Sequence, residues 1–136
     1  MNNKAVENFK QGFSCSESIV KSAIDLGLAP KELLPVATSF SGGMGSGCLC
    51  GAVAGCQMVI GSMQGKNEEG RDGQKARQLA KQFVEEFKKT HKATCCKVLT
   101  AGLEFGSPER KANCTKLVDE CATIIKNILE LDKQRV

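Results

Sequence analysis

Ser41–Gly61 reads SGGMGSGCLCGAVAGCQMVIG, a run of glycines that opens into a small, apolar segment carrying Cys48, Cys50 and Cys56. Ala52, Val53, Cys56, Val59, Ile60 and Met63 repeat at helical rather than strand spacing, so the second half is expected to be a helix with Cys50 at or just before its start. Gly51 and Gly55 inside it lower helix propensity by about 1 kcal/mol each relative to Ala, a cost that makes sense where another backbone or a cofactor comes close. Gly47, Gly51 and Gly55 recur at one spacing, which would suit packing between subunits as well as within one and leaves a homo-oligomer open. GGMGSG lacks the G-K-[ST] ending of a phosphate loop and no strand precedes it, so nucleotide binding is not indicated.

Upstream of this segment, Asn2–Gln11 has a weak helical pattern ending at Gly12 and reads as a short lid or cap. In FSCSESIVKSAIDLG, Ser14 followed by Glu17 forms a capping box that puts Cys15 at the first helical position. Cys15, Ile19, Ala23 and Leu26 then share a face, and Gly27 ends the helix. Pro30 and the residues after it suggest another short helix, interrupted near Pro35.

Downstream, Gln64–Gln74 is a polar, glycine-containing loop, and Lys75–His91 is a clean amphipathic helix with Ala76, Leu79, Ala80, Phe83 and Phe87 on one side. Thr94 offers an N-cap for CCKVLTAG, placing Cys95 and Cys96 in a first turn. Asn113 offers a cap for the last helix, with Cys114 first and Leu117, Val118, Cys121, Ile124, Ile125, Ile128 and Leu131 as its buried stripe. No segment alternates with period two. The expected fold is therefore all-α: residues 1–136 as a compact single-domain bundle of about five to six helices around the central Gly/Cys-rich helix.

Composition narrows the function. The chain has 136 residues, enough for one core without staples, and carries a net charge of +4 from lysines interleaved with acids, as on solvated helix faces. It has no Trp or Tyr, and so lacks the stacking platforms of nucleic-acid modules. Leu33–Gly65 contains no charged residue, yet Pro35 and repeated glycines deny it the span of about 20 apolar residues a membrane helix needs. No signal peptide is evident at the N-terminus, so the expected compartment is the cytoplasm. Eight cysteines in such a chain are not needed as disulfide staples, and a reducing compartment would not keep them paired. Redox chemistry or metal binding is the better reading.

On this reading, separate helices begin with a cysteine at Cys15, Cys50, Cys95 or Cys96, and Cys114. Free N–H groups and the helix dipole favour negative charge at such positions, lowering a thiol's pKa and making it a nucleophile or ligand. Their convergence would form a pocket for reactive thiolates or for a thiolate-bound cluster. Cys56 and Cys121 lie on apolar faces and read as packing residues, and Met44, Met58 and Met63 likewise. Cys48 and one of Cys95 and Cys96 suit either role. No C-x-x-C occurs, which removes a thioredoxin dithiol and paired zinc knuckles, and the only histidine, His91, reads as a partner for a helix C-terminus.

FSCSES, GGMG followed by CGAVAG, a later C-K-V-L and a final cysteine before an apolar helix together resemble the redox-active family named for its C_GCAxxG_C_C pattern, over nearly the whole chain. The central motif stands here as Cys50-Gly51-Ala52-Val53-Ala54-Gly55, with the Cys–Gly order reversed from the name. The resemblance implies an all-helical redox domain whose recurring cysteines are Cys15, Cys50, Cys96 and Cys114, Cys96 being chosen because K-V-L follows it. It also implies an electron-transfer role with an iron–sulfur cluster held by those four, Cys48 and Cys95 being additional candidates, and a redox partner protein or electron carrier. The alternatives are a thiol–disulfide oxidoreductase or redox sensor in which Cys50 attacks and a neighbour such as Cys48 or Cys96 resolves, with no cofactor, and a zinc or other metal-binding structural or carrier domain.

Overall fold

The computed structural model describes residues 1–134, with side chains through Leu129. Among the described residues the chain forms helices and no strand: α1 (Asn2–Lys10), α2 (Cys15–Asp25), α3 (Leu33–Thr38), α4 (Gly51–Gln64), α5 (Gln74–Thr90), α6 (Cys96–Leu99) and α7 (Pro108–Gln134). Two of these are short, with six residues in α3 and four in α6.

The central segment is the hub. Helix α4 is apolar nearly all round, with Gly51 through Cys56, Val59 and Ile60 buried, and it packs against α2, α3, α5 and α7. Its glycines serve backbone contact. A Cβ on Gly55 would sit 2.9 Å from the Ser16 carbonyl oxygen and 3.0 Å from Ile19 Cβ, so the residue is what lets α2 lie directly on α4. Gly51 and Gly55 thus give clearance between α4 and α2 within the chain, while Gly47 faces the Lys97 side chain.

The capping box on α2 forms as read. The Glu17 N–H donates to Ser14 Oγ at 3.2 Å and the Ser14 N–H donates to Glu17 Oε1 at 2.9 Å. Buried serines on α2 find carbonyl acceptors, Ser16 Oγ donating to Ala37 at 2.7 Å and Ser22 Oγ to Ile19 at 2.6 Å, so the polar groups carry no unpaired desolvation cost. Leu26 falls off the predicted face and is exposed at the C-cap. Helix α1 packs across α2 and α7, with Ala5 fully buried, and forms a wall rather than a lid.

Phe83, Phe87, Ile19, Ile60, Val118 and Ile125 fill the centre, each worth roughly 1.5–3 kcal/mol when fully buried. They come from the predicted faces of α2, α4, α5 and α7; Leu131, read onto the same stripe of α7, lies outside the described side chains. His91 is the C-cap of α5, as expected, and pairs with Glu120 on α7.

Two helix starts differ from the sequence reading. Helix α7 begins at Pro108 with Ser107 in the capping position, its hydroxyl accepting the Arg110 N–H at 3.1 Å, so Cys114 lies well inside the helix. The stronger signal was Ser–Pro–Glu, a capping serine before a proline at the first helical position. Asn113 instead donates its side-chain amide to the Leu99 carbonyl at 3.0 Å, tying α7 to the end of α6. In α6 the N-cap is Cys95, in extended conformation, and not Thr94. Cys95 pairs with Leu49 in an isolated antiparallel bridge, flanked by bonds from Cys50 N–H to the Thr94 carbonyl at 2.7 Å and from Cys96 N–H to the Cys48 carbonyl.

Candidate functional site

The glycine turn and the first turns of α2 and α4 meet α6 and the early part of α7 around a cavity of about 870 Å³. Its wall includes Cys15, Cys50, Cys96 and Cys114. Each comes from a different helix or helix edge, brought in by a different device: the capping box for Cys15, the N-cap of α4 for Cys50, the antiparallel bridge for Cys96, and two turns of α7 for Cys114.

The turn that makes room for this uses left-handed backbone. Gly43 has φ +66°, and a Cβ there would lie 2.6 Å from the Cys48 nitrogen and 2.8 Å from Cys96 Cβ. Only glycine serves, because its bare Cα lets the turn close against Cys96. Met44 is the one non-glycine in this region of φ among the described residues, and its side chain is exposed rather than packed.

The thiols differ sharply in character. Cys15 and Cys114 affect each other: the Cys15 pKa is raised well above the ordinary thiol range, first by hydrogen bonding to Cys114 and then by burial. The same bond lowers Cys114 to about 7, against the opposing effect of partial burial, with the Arg110 guanidinium contributing both charge and a hydrogen bond. Arg110 also donates to Cys96 Sγ at 3.8 Å and stacks over the exposed Phe105 ring, 5.1 Å from its centroid.

Cys50 corrects a sequence expectation. The N–H groups of Val53 and Ala52 do pull its pKa down, as a helix start should, but burial outweighs them and, with Cys121 nearby, pushes the thiol up to about 12. A thiol so held is protonated at neutral pH, whereas Cys114 is lowered towards it.

The remaining cysteines separate cleanly. Cys56 and Cys121 are fully buried against each other, Cys56 Sγ donating to the Cys121 carbonyl at 3.5 Å, and the Cys121 thiol is raised well above its usual range first by the bond to Cys56 and then by burial. Both belong to the packed core. Cys95 Sγ donates to the Gly47 carbonyl at 3.1 Å, and Cys48 is exposed; neither lines the cavity. All eight cysteines are free. Among the described residues, no three Cys, His, Asp or Glu side chains are gathered closely enough to hold a metal ion.

Arg110 is the residue the sequence reading missed. With α7 starting at Asn113, Arg110 would belong to a loop; with the helix starting at Pro108, it stands one turn before Cys114 on the same face. Among the described residues, no helix is long and apolar enough to cross a membrane.

No curated protein and no solved structure matches the chain. The sequence profile of one family matches residues 13–128, a span that contains the capping box, the glycine turn, the central helix and every cysteine of the cavity. The chain belongs to that family, described as Putative redox-active protein (C_GCAxxG_C_C).

Proposed function

We propose that the protein is a thiol–disulfide redox protein whose working pair is Cys114 and Cys15. The geometry behind this reading is one cavity wall that carries Cys15, Cys114 and Arg110, with Arg110 one turn before Cys114 on α7; the opposite shifts of the two thiols, one raised and one lowered, support it. The Cys114 thiolate attacks one sulfur of a partner disulfide; a new S–S bond forms, the partner's bond breaks, and its second sulfur leaves as a thiolate that takes up a proton. Cys15 then gives up its proton to solvent and attacks Cys114 Sγ. The partner leaves as a dithiol, or as two thiols, and Cys15 and Cys114 are joined: two electrons have passed to the partner and the atoms balance.

The contrast between the two thiols suits this order. While Cys114 is a thiolate it keeps Cys15 protonated, by hydrogen bond and by charge. Once Cys114 is in a mixed disulfide both influences are gone, so the resolving thiol is released to ionise only when it has something to attack. A partner thiol or disulfide is the co-reactant, and a reducing compartment such as the cytoplasm would return the pair to its dithiol form.

A second reading is favoured by the shared cavity wall. Cys15, Cys50, Cys96 and Cys114 are the donor chemistry an iron–sulfur cluster takes, and the Arg110 donor on Cys96 is of the kind that tunes such sulfurs. If a cluster binds, these four would hold it and it would supply one-electron transfer to a carrier; a zinc ion would draw on the same thiols.

One experiment separates them. Anaerobically purified protein is analysed for iron, sulfide and zinc, then exposed to a small disulfide and mapped by peptide mass. The thiol reading expects a Cys15–Cys114 disulfide, reversed by dithiothreitol, in metal-free protein. Stoichiometric iron and sulfide, lost together in a Cys114→Ser variant, would overturn it.

A further inference from the structure

The cavity has a composition beyond its sulfurs. Lys97, Arg110 and Lys111 line it, and no aspartate or glutamate among the described residues does. Phe9, Phe13 and Phe105 supply apolar wall. Elsewhere several lysines are paired with acids, as in Lys21–Asp25 at 3.2 Å and Lys89–Glu86 at 2.8 Å. The Lys97 stem lies across Gly47, so closely that a Cβ there would be 2.4 Å from Lys97 Cγ. Arg110 is held by its stacking on Phe105 and its contact with Cys96. A volume of about 870 Å³ falls in the range of small-molecule sites, roughly 300–1,000 Å³.

We propose that the cavity takes a small, carboxylate-bearing disulfide, its carboxylate met by Lys97, Arg110 and Lys111, its apolar part on the phenylalanines and its S–S bond at Cys114. This rests on the thiol–disulfide reading and names the substrate class for it. Charge and enclosure carry the inference. Cations lining a cavity that no acid lines attract an anion and raise its local concentration, and a partly enclosed apolar wall suits a small molecule better than an exposed protein disulfide. The substrate is itself the oxidant, so the exchange needs no further co-reactant.

The test uses the full chain, reduced and metal-free, at low ionic strength. It is mixed separately with dithiodipropionate (anionic), hydroxyethyl disulfide (neutral) and cystamine (cationic), and the rate of Cys15–Cys114 bond formation is read by peptide mass. The expected order is anionic, neutral, cationic, with on the order of tenfold between the extremes. In a Lys97→Gln/Lys111→Gln variant that spread shrinks to about twofold. A Lys88→Gln/Lys92→Gln variant, which changes net charge equally on α5 and just beyond it, away from the cavity, keeps the spread. If Cys114 reacts with all three disulfides at equal rates, or if the remote variant erases the spread as fully as the cavity variant, the substrate class is wrong while the thiol reading stands. If an oxidised disulfide-bonded peptide outpaces all three, the partner is a protein and this proposal falls. No reaction at Cys114 with any disulfide sinks the underlying reading instead.

Discussion

At the scale of single residues, the chemistry turns on which sulfur carries charge. Cys114, lowered to about 7 by Cys15 and Arg110, ionises near neutral pH, whereas Cys50, pushed up to about 12, stays protonated there. Only the thiolate is alkylated. Iodoacetamide labelling of native protein should therefore rise with pH through a midpoint near 7 at Cys114, while Cys50, Cys56 and Cys121 label only after unfolding; peptide mapping across a pH series checks both. Replacing Arg110 by Gln removes the cation and shifts the midpoint upward. A rise of about one unit would slow labelling at neutral pH by about fivefold. Cys15, Cys50 and Cys114 were singled out by their place near helix starts and Cys96 by the family resemblance, and all four line the cavity. The ranking within it was not legible, because a helix start and a buried environment push a thiol in opposite directions and local sequence reports only the first. At Cys50 burial wins.

At the scale of elements, the glycines of α4 give a matched pair of tests. Gly55→Ala puts a methyl against the Ser16 carbonyl and Ile19, and should destabilise by about 1–3 kcal/mol as overpacking does. Gly61→Ala, on the same helix with nothing within 4 Å, should stabilise by up to about 1 kcal/mol. Urea melts of the two variants decide the matter, and like signs would contradict the contact described. On α2, the Glu17 carboxylate is held below the usual range first by the Ser14 N–H and then by the Thr38 hydroxyl. The folded form thus binds this proton less tightly than the unfolded one. Its contribution is complete above the unfolded carboxylate range and is lost as pH falls through the folded value; Glu17→Gln should flatten that part of the acid stability profile. Element identity was readable because periodicity and capping are local. The start of α7 was misplaced because Asn113 has the chemistry of a cap, whereas Ser107 caps the helix and Asn113 lies inside it, donating its amide to Leu99, a partner that only the tertiary fold supplies.

At the scale of the whole molecule, the proposed disulfide would join α2 near the start of the chain to α7 near its end. Closing a loop of about a hundred residues stabilises a fold by up to about 4–5 kcal/mol in the chain-entropy account. Oxidised protein should then melt several degrees above reduced protein, and a Cys15→Ser variant should show no such difference, as scanning calorimetry with and without dithiothreitol would reveal. The closure also fits the packing: α1, α2 and α7 already lie together, so the bond fastens elements that are neighbours in the reduced form.

The bridge between Leu49 and Cys95 has a consequence for how the cavity could be watched at work. The amide protons of Cys50 and Cys96 are donated across the gap between the two segments that carry those cysteines, to Thr94 and Cys48. They are exposed to deuterium only when the two segments part. Slow exchange at these two amides, set against faster exchange in the loop between α4 and α5, would time the opening of the cavity from within its own backbone.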